Sequence, residues 1–211
     1  MARTAITVVM GTKADGEQVC VPFFTSQGTL NAALGDCGLP MLLALRALRT
    51  GARVQVITPC PDPWLMLRDG GGLPAELIAI AYPGTSPRAD GTRVDPWMII
   101  DESGTPAAAA VRRPWQAFIA APGADAVTIA GLRGLDTIIM HRSTPACRAA
   151  VIAAMNLPVP AARSLHGIPR DVVAVANTGI VSFAPLNPDA AERALLSNYR
   201  TYQKTPSERV A

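Results

Sequence analysis

The stretch ITVVMGTKADGEQVCVPFFTS, from Ile6 to Ser26, decides how the rest of the chain is read. Apolar residues alternate from Ile6 to Met10, a polar glycine-bounded turn runs from Gly11 to Gly16, and a second apolar segment returns from Val19 to Phe24. Two short alternating runs joined by a turn predict a β-hairpin. Working outward, Thr25 and Ser26 offer hydroxyl caps before Leu30, Ala33 and Leu34, whose spacing predicts a short helix. Pro40 then opens a second helix with a stripe of Leu42, Leu45 and Leu48, since a proline in the first turn forfeits no helical hydrogen bond. Gly51 ends it, Val54 to Ile57 reads as a strand, Trp64 to Leu67 as another, and Pro74 leads into a helix from Ala75 to about Ala81.

The same order is read a second time downstream. Val127, Thr128 and Ile129 match Ile6, Thr7 and Val8, a glycine turn spans Gly131 to Gly134, and Thr137 to His141 returns as a strand. A helix through Val151 and Met155 follows, then Leu157 and Pro158 in the place of Leu39 and Pro40, and strands at Val172–Val175 and Ile180–Phe183. Asn187, Pro188 and Asp189 open a last helix through Leu195 and Leu196. The expected fold is therefore α+β, with two tandem β-β-α-α-β-β-α units related by a pseudo-two-fold, at 4–82 and 123–203. The connector at 83–122 is expected to hold a strand at Trp97–Ile100 and a short helix around Trp115–Ala120, and 204–211 to fray.

Composition narrows the function classes. With 49% hydrophobic but only 5% aromatic residues among 211, the core is filled mainly by small aliphatic side chains, which demands close backbone packing. No apolar run reaches the roughly 18 residues a membrane span needs, because Arg46, Arg49 and Arg53 break the richest one. Ala5 to Met10 is too short for a signal-peptide core, so a cytoplasmic protein without membrane partner is expected. A net charge of +3, carried by 17 arginines and 2 lysines scattered along the chain, does not predict nucleic-acid binding. Four single cysteines and two histidines, with no paired spacing, predict neither a metal nor another cofactor.

The passage Val21-Pro22-Phe23-Phe24-Thr25-Ser26, the helix after it, and Leu45-Arg46-Ala47-Leu48 through Val54 resemble the N-terminal domain of SseB-like proteins. In that family a strand ending in Pro-x-Phe-Thr-Ser precedes a helix, and a later strand ends in Asn-Pro-Gly. The first unit departs from this with Thr58-Pro59-Cys60; the second carries Asn177-Thr178-Gly179 there but keeps only Ser143 of the earlier motif. The resemblance covers about 60 residues well and implies a small α/β module without an established catalytic constellation, so no site residue transfers.

The residues that could carry chemistry each have a structural alternative. His141 and Ser143 lie two apart and share a face if the strand continues through Ser143, yet they also read as a strand-end histidine and a cap serine. Cys147, near a helix start and beside Arg148, has a setting that favours thiolate. Gly70-Gly71-Gly72 lacks the lysine and hydroxyl of a phosphate loop and reads as a turn. Asp101-Glu102 and Arg112-Arg113 read as solvated charges. Trp97 and Trp115, beside prolines, are core residues or interface anchors.

Two functional expectations follow. The first is a non-catalytic interaction or regulatory module presenting a composite surface to a protein partner, with Thr25, Ser26, Arg142, Ser143, Trp97 and Trp115 as candidate binding residues. The second is a binder of a small anionic ligand, or an enzyme, with its site in a cleft between the two units. A homodimer formed through a strand edge is compatible with either.

Overall fold

The computed structural model describes residues 5–35, 38–88, 90–104, 110–123 and 126–203, with side chains placed up to Ser197. The chain is mixed α+β. A hairpin of β1 (Ile6–Thr12) and β2 (Gln18–Phe24) comes first, as expected, with Val8 opposite Val21. There follow β3 (Thr29–Leu34), α1 (Gly38–Leu48), β4 (Arg53–Ile57), α2 (Asp62–Gly70), β5 (Ile78–Ala81), β6 (Trp97–Asp101) and β7 (Gln116–Ala120). The last part holds α3 (Ile129–Leu132), β8 (Thr137–Met140), α4 (Pro145–Ala154), α5 (Val159–Ser164), a 3-10 turn at Leu165–Gly167, β9 (Val172–Asn177), β10 (Ile180–Pro185) and α6 (Ala190–Gln203).

Eight strands form one sheet in the order β10-β9-β8-β3-β7-β6-β4-β5. From β8 to β5 all neighbours are parallel, and β9 and β10 add antiparallel at one side. The hairpin, α1, α2 and α6 cover one face around Phe23, Met41, Leu43, Trp64 and Ile100; α3 and α4 cover the other around Leu30, Ile99, Phe118 and Val151. Among the described residues no helix is long and apolar enough to cross a membrane.

Several elements differ in type from their sequence reading. The run at 29–34 is a strand, buried along its whole length: Ala33 faces one core, Leu30, Ala32 and Leu34 the other. A strand buried on both faces shows no polar alternation, so its apolar spacing mimics a helical stripe. The same holds for Gln116–Ala120, expected as a helix, where Ala117 and Ile119 point opposite to Phe118 and Ala120. Residues 78–81 form a strand at the sheet edge instead of continuing a helix from Ala75. Conversely, Trp64 to Leu67 is helical, because Pro61 and Pro63 fall at the start of α2, where missing N–H groups are harmless, and Trp64 and Leu67 share one face.

Residues 127–129 form no strand. Thr128 caps α3 instead, its hydroxyl accepting from the Gly131 N–H at 3.1 Å, and β8 pairs with β3 and β9. Residues 4–82 therefore run β-β-β-α-β-α-β and residues 123–203 run α-β-α-α-β-β-α. That is not the order expected for two copies of one unit. Strands from both stretches, and β6 and β7 between them, belong to the same sheet. The expected fraying at 204–211 lies outside the described residues, as does Cys37.

Candidate functional site: a cleft over β4, β6 and β7

Six parallel strands bring six carboxyl ends to one side of the sheet, and ligands in open parallel sheets bind where connections leave neighbouring strands toward opposite faces. β4 and β6 make such a pair. The chain leaves β4 for α2 on the hairpin face, whereas the segment that arrives at β6 and the loop that leaves it lie over the other face. Between these two loops opens a cleft of about 330 Å³.

Its floor follows from strand alternation. Trp97, Ile99 and Asp101 lie on one face of β6, and Asp101 reaches the cleft beside Ile57 of β4 and Phe118 of β7. Thr85, Ser86 and Pro87 form one wall, and Ser103, Val111 and Arg113 the other. The first wall is held by a side-chain clamp. The Arg88 N–H donates to Gln55 Oε1 at 2.7 Å, and Gln116 Nε2 donates to the Arg88 carbonyl at 3.0 Å. Both glutamines are buried polar groups on central strands, and this loop peptide satisfies them. Arg88 also lies 5.3 Å from the Trp97 ring centroid, with Arg53 at 5.8 Å.

Asp101 is 6% exposed. The Ser103 N–H at 2.8 Å and the Ser103 hydroxyl at 2.5 Å both bond to Oδ1, which leaves Oδ2 to accept from a ligand. Arg113, 38% exposed, forms a loose ion pair with Asp90 at 3.7 Å. The cleft thus offers an acceptor carboxylate and a guanidinium over an apolar floor.

Glu102 alternates to the other face. Its Oε2 accepts from Trp64 Nε1 at 3.1 Å, its carboxylate also bonds the Thr58 hydroxyl, and its N–H donates to the Ile57 carbonyl at 2.8 Å. Burial pushes its pKa above the ordinary 4.5; the bonds from Thr58 and Trp64 oppose the shift, and Asp101 adds to it. The adjacent carboxylates are therefore neither solvated charges nor an acid–base pair: they diverge to opposite faces. Because the folded protein holds the Glu102 proton more tightly than the unfolded chain, this group favours the fold fully below its unfolded pKa, and that contribution is lost as pH rises through the folded value. Urea midpoints of the wild type are expected to show this loss above about pH 4.5, and Glu102→Gln, which keeps an acceptor for Trp64 without the buried charge, to abolish it and to be the more stable at pH 7.

The sequence-proposed residues fall into two groups. Thr25 and Ser26 form the turn between β2 and β3 at the amino ends of the strands, where the Trp115 N–H donates to the Thr25 carbonyl at 2.8 Å and the Trp97 N–H to the Trp115 carbonyl at 3.0 Å. Trp97 is a core residue and Trp115 is half-buried with φ +55°. Arg142 and Ser143 follow the carboxyl end of β8, at the opposite end of the sheet, so the six do not converge. β8 ends at Met140 and Arg142 turns the chain with φ +47°, so strand alternation does not bring His141 and Ser143 to one face. The Cys147 thiol is raised, not lowered, because burial outweighs Arg148. Gly70 to Gly72 end α2 as a turn. Arg112 is exposed, as a solvated charge is, and makes a surface ion pair with Asp136 and a bond to the Gly134 carbonyl at 3.2 Å. No cluster of three or more His, Cys, Asp or Glu among the described residues could hold a metal ion.

Sequence reasoning read Asp101 and Arg113 as solvated charges and did not single out the two glutamines. The available signal was an acid directly ending an apolar strand, and a glutamine inside each of two others.

No protein-family model matches this chain, and no curated protein matches it. Among solved structures it is similar to the genome packaging NTPase B204 from Sulfolobus turreted icosahedral virus 2, solved in complex with AMP. The identity is 10%, the TM-score 0.48, and the match covers 74% of this chain and 96% of that one.

Proposed function

We propose that this protein binds a small molecule in the cleft over β4, β6 and β7. The ligand carries a hydrogen-bond donor for Asp101, an anionic group for Arg113, and a flat or apolar body for Phe118 and Ile57. The supporting observation is Asp101: a residue 6% exposed whose second oxygen bonds none of the described residues and which lines an open cleft. Ser103 satisfies Oδ1, and a ligand donor would supply the bond for the second oxygen where Asp101 lines the cleft. The anionic-ligand reading of the sequence thus moves to a different cleft and to a different arginine, Arg113 in place of Arg142, and the interaction-module reading has no comparable feature behind it.

Free amino acids and AMP each combine a donor with an acid group, and both suit a cleft of this size. Calorimetric titration of the purified chain with these two sets is the test. Saturable binding by either is expected, with Asp101→Asn and Arg113→Gln each weakening it about tenfold or more, the worth of one charge-assisted hydrogen bond. Binding unchanged by both substitutions, or none by either set, removes the proposal.

A further inference from the structure

The carboxyl end of β8 holds a second arrangement that the cleft does not use. Arg148, in the first turns of α4, donates through Nη1 to the Ser143 carbonyl at 2.6 Å. Its Nε is shielded from solvent and has no hydrogen-bond partner, and the hydroxyl oxygen of Ser143, the residue whose carbonyl Arg148 bonds, is likewise buried and unpartnered. No carboxylate of the described residues pairs with Arg148.

A filled version of the same geometry exists elsewhere in this chain. Arg46 sends Nη1 to backbone carbonyls, those of Val9 at 3.4 Å and Met10, while its Nε and Nη2 edge grips both oxygens of Glu192 at 3.2 and 3.3 Å. Arg148 repeats this with the carboxylate missing: one nitrogen anchored on a carbonyl, the forked edge unfilled. That edge matches two oxygens of one carboxylate or phosphate, and a half-buried guanidinium without a counter-ion is costly.

We propose that the Arg148 edge and the Ser143 hydroxyl form an oxyanion-binding site, taking two oxygens of a carboxylate or phosphate group on the guanidinium and one hydrogen bond from the serine. The amino-terminal end of α4 adds favourable potential. β8 is two strands from β7 in the sheet, about 10 Å away, so the site stands apart from the cleft and does not depend on the ligand proposed for it.

The test follows the 15Nε–1Hε NMR signal of Arg148 in the full chain, identified by its loss in Arg148→Lys. Sodium phosphate and sodium acetate are titrated separately against sodium chloride of equal ionic strength. A saturable shift at Arg148, absent at the exposed Arg163, is expected. Saturation by phosphate alone assigns a phosphate group, by acetate alone a carboxylate, and by both the shared oxyanion chemistry. By a thermal-shift readout, Arg148→Lys is expected to weaken the effective anion about tenfold, because the fork is lost while the charge remains, and Ser143→Ala to weaken it severalfold. A signal that neither anion moves beyond the chloride control, or that moves no more than that of Arg163, overturns the proposal. The wild-type titration decides the matter even where a variant fails to fold.

Discussion

Glu192→Ala is expected to destabilise the fold by about 3–5 kcal/mol, the usual consequence of leaving a buried charge without its partner. Glu192 is 2% exposed and takes both Nε and Nη2 of the buried Arg46, from the helix on which the hairpin and α6 meet. It also accepts the Asp189 N–H at 3.1 Å while Asp189 Oδ1 accepts the Glu192 N–H at 2.9 Å. This reciprocal pair caps the start of α6, and its loss adds about 1 kcal/mol. The alanine variant keeps the Arg46 guanidinium buried against the β1 carbonyls with no counter-charge. In a chain of this size the melting temperature is expected to fall on the order of 10 °C. Arg46→Met combined with Glu192→Leu is expected to recover most of the loss, since packed apolar side chains replace a buried ion pair at little cost. Arg49 also pairs with Glu192, at 2.9 Å, but is half exposed, so Arg49→Ala is expected to cost no more than about 1 kcal/mol. Urea denaturation of the three variants checks the ranking; a Glu192→Ala loss as small as that of Arg49→Ala would mean that the pair is solvated.

Gly35→Ala is the second large effect, about 3 kcal/mol or more, and its cause is backbone rather than charge. Gly35 follows β3 with φ +142°, a conformation that L residues rarely adopt, and a Cβ there would lie 1.9 Å from the carbonyl oxygen of His141. The two loops leaving the neighbouring parallel strands β3 and β8 touch at this point, so neither can yield without the other. Gly104→Ala separates the two contributions. Its φ of +83° is also left-handed, but a Cβ meets nothing within 4 Å, so only the backbone penalty of about 1–2 kcal/mol applies. Thermal unfolding should place Gly35→Ala well below Gly104→Ala; equal losses would show that the contact with His141 relaxes freely.

Parts of both the fold and the candidate site were legible before any tertiary structure. The opening hairpin was, because one of its faces is buried and the other wet, which writes a period of two into Val8, Met10, Val19 and Val21. So were α1, α4 and α6, whose proline or capping starts and apolar stripes are local signals. β3 and β7 were not, because strands covered on both faces carry no polar alternation. The repeat reading followed from that ambiguity: with 29–34 taken as a helix and 127–129 as a strand, the two stretches matched in order. The cleft was harder still. Asp101 and Glu102 stand side by side in sequence, and only the pleat of β6 sends one into the cleft and the other to Trp64.

The amino-acid sequence by itself determined the α+β class, the aliphatic core of small side chains, the opening hairpin and the places of α1, α4 and α6. These rest on period, caps and turn residues, which act within a few residues of chain. Tertiary structure alone decided that β3 to β8 run parallel, that Gln55 and Gln116 hold the loop at Arg88, that Arg113 and Asp101 line one cleft, and that Arg148 bonds the Ser143 carbonyl. Parallel pairing joins residues as far apart as Asn31 and Thr137, and no local pattern encodes a contact whose partner lies a hundred residues away.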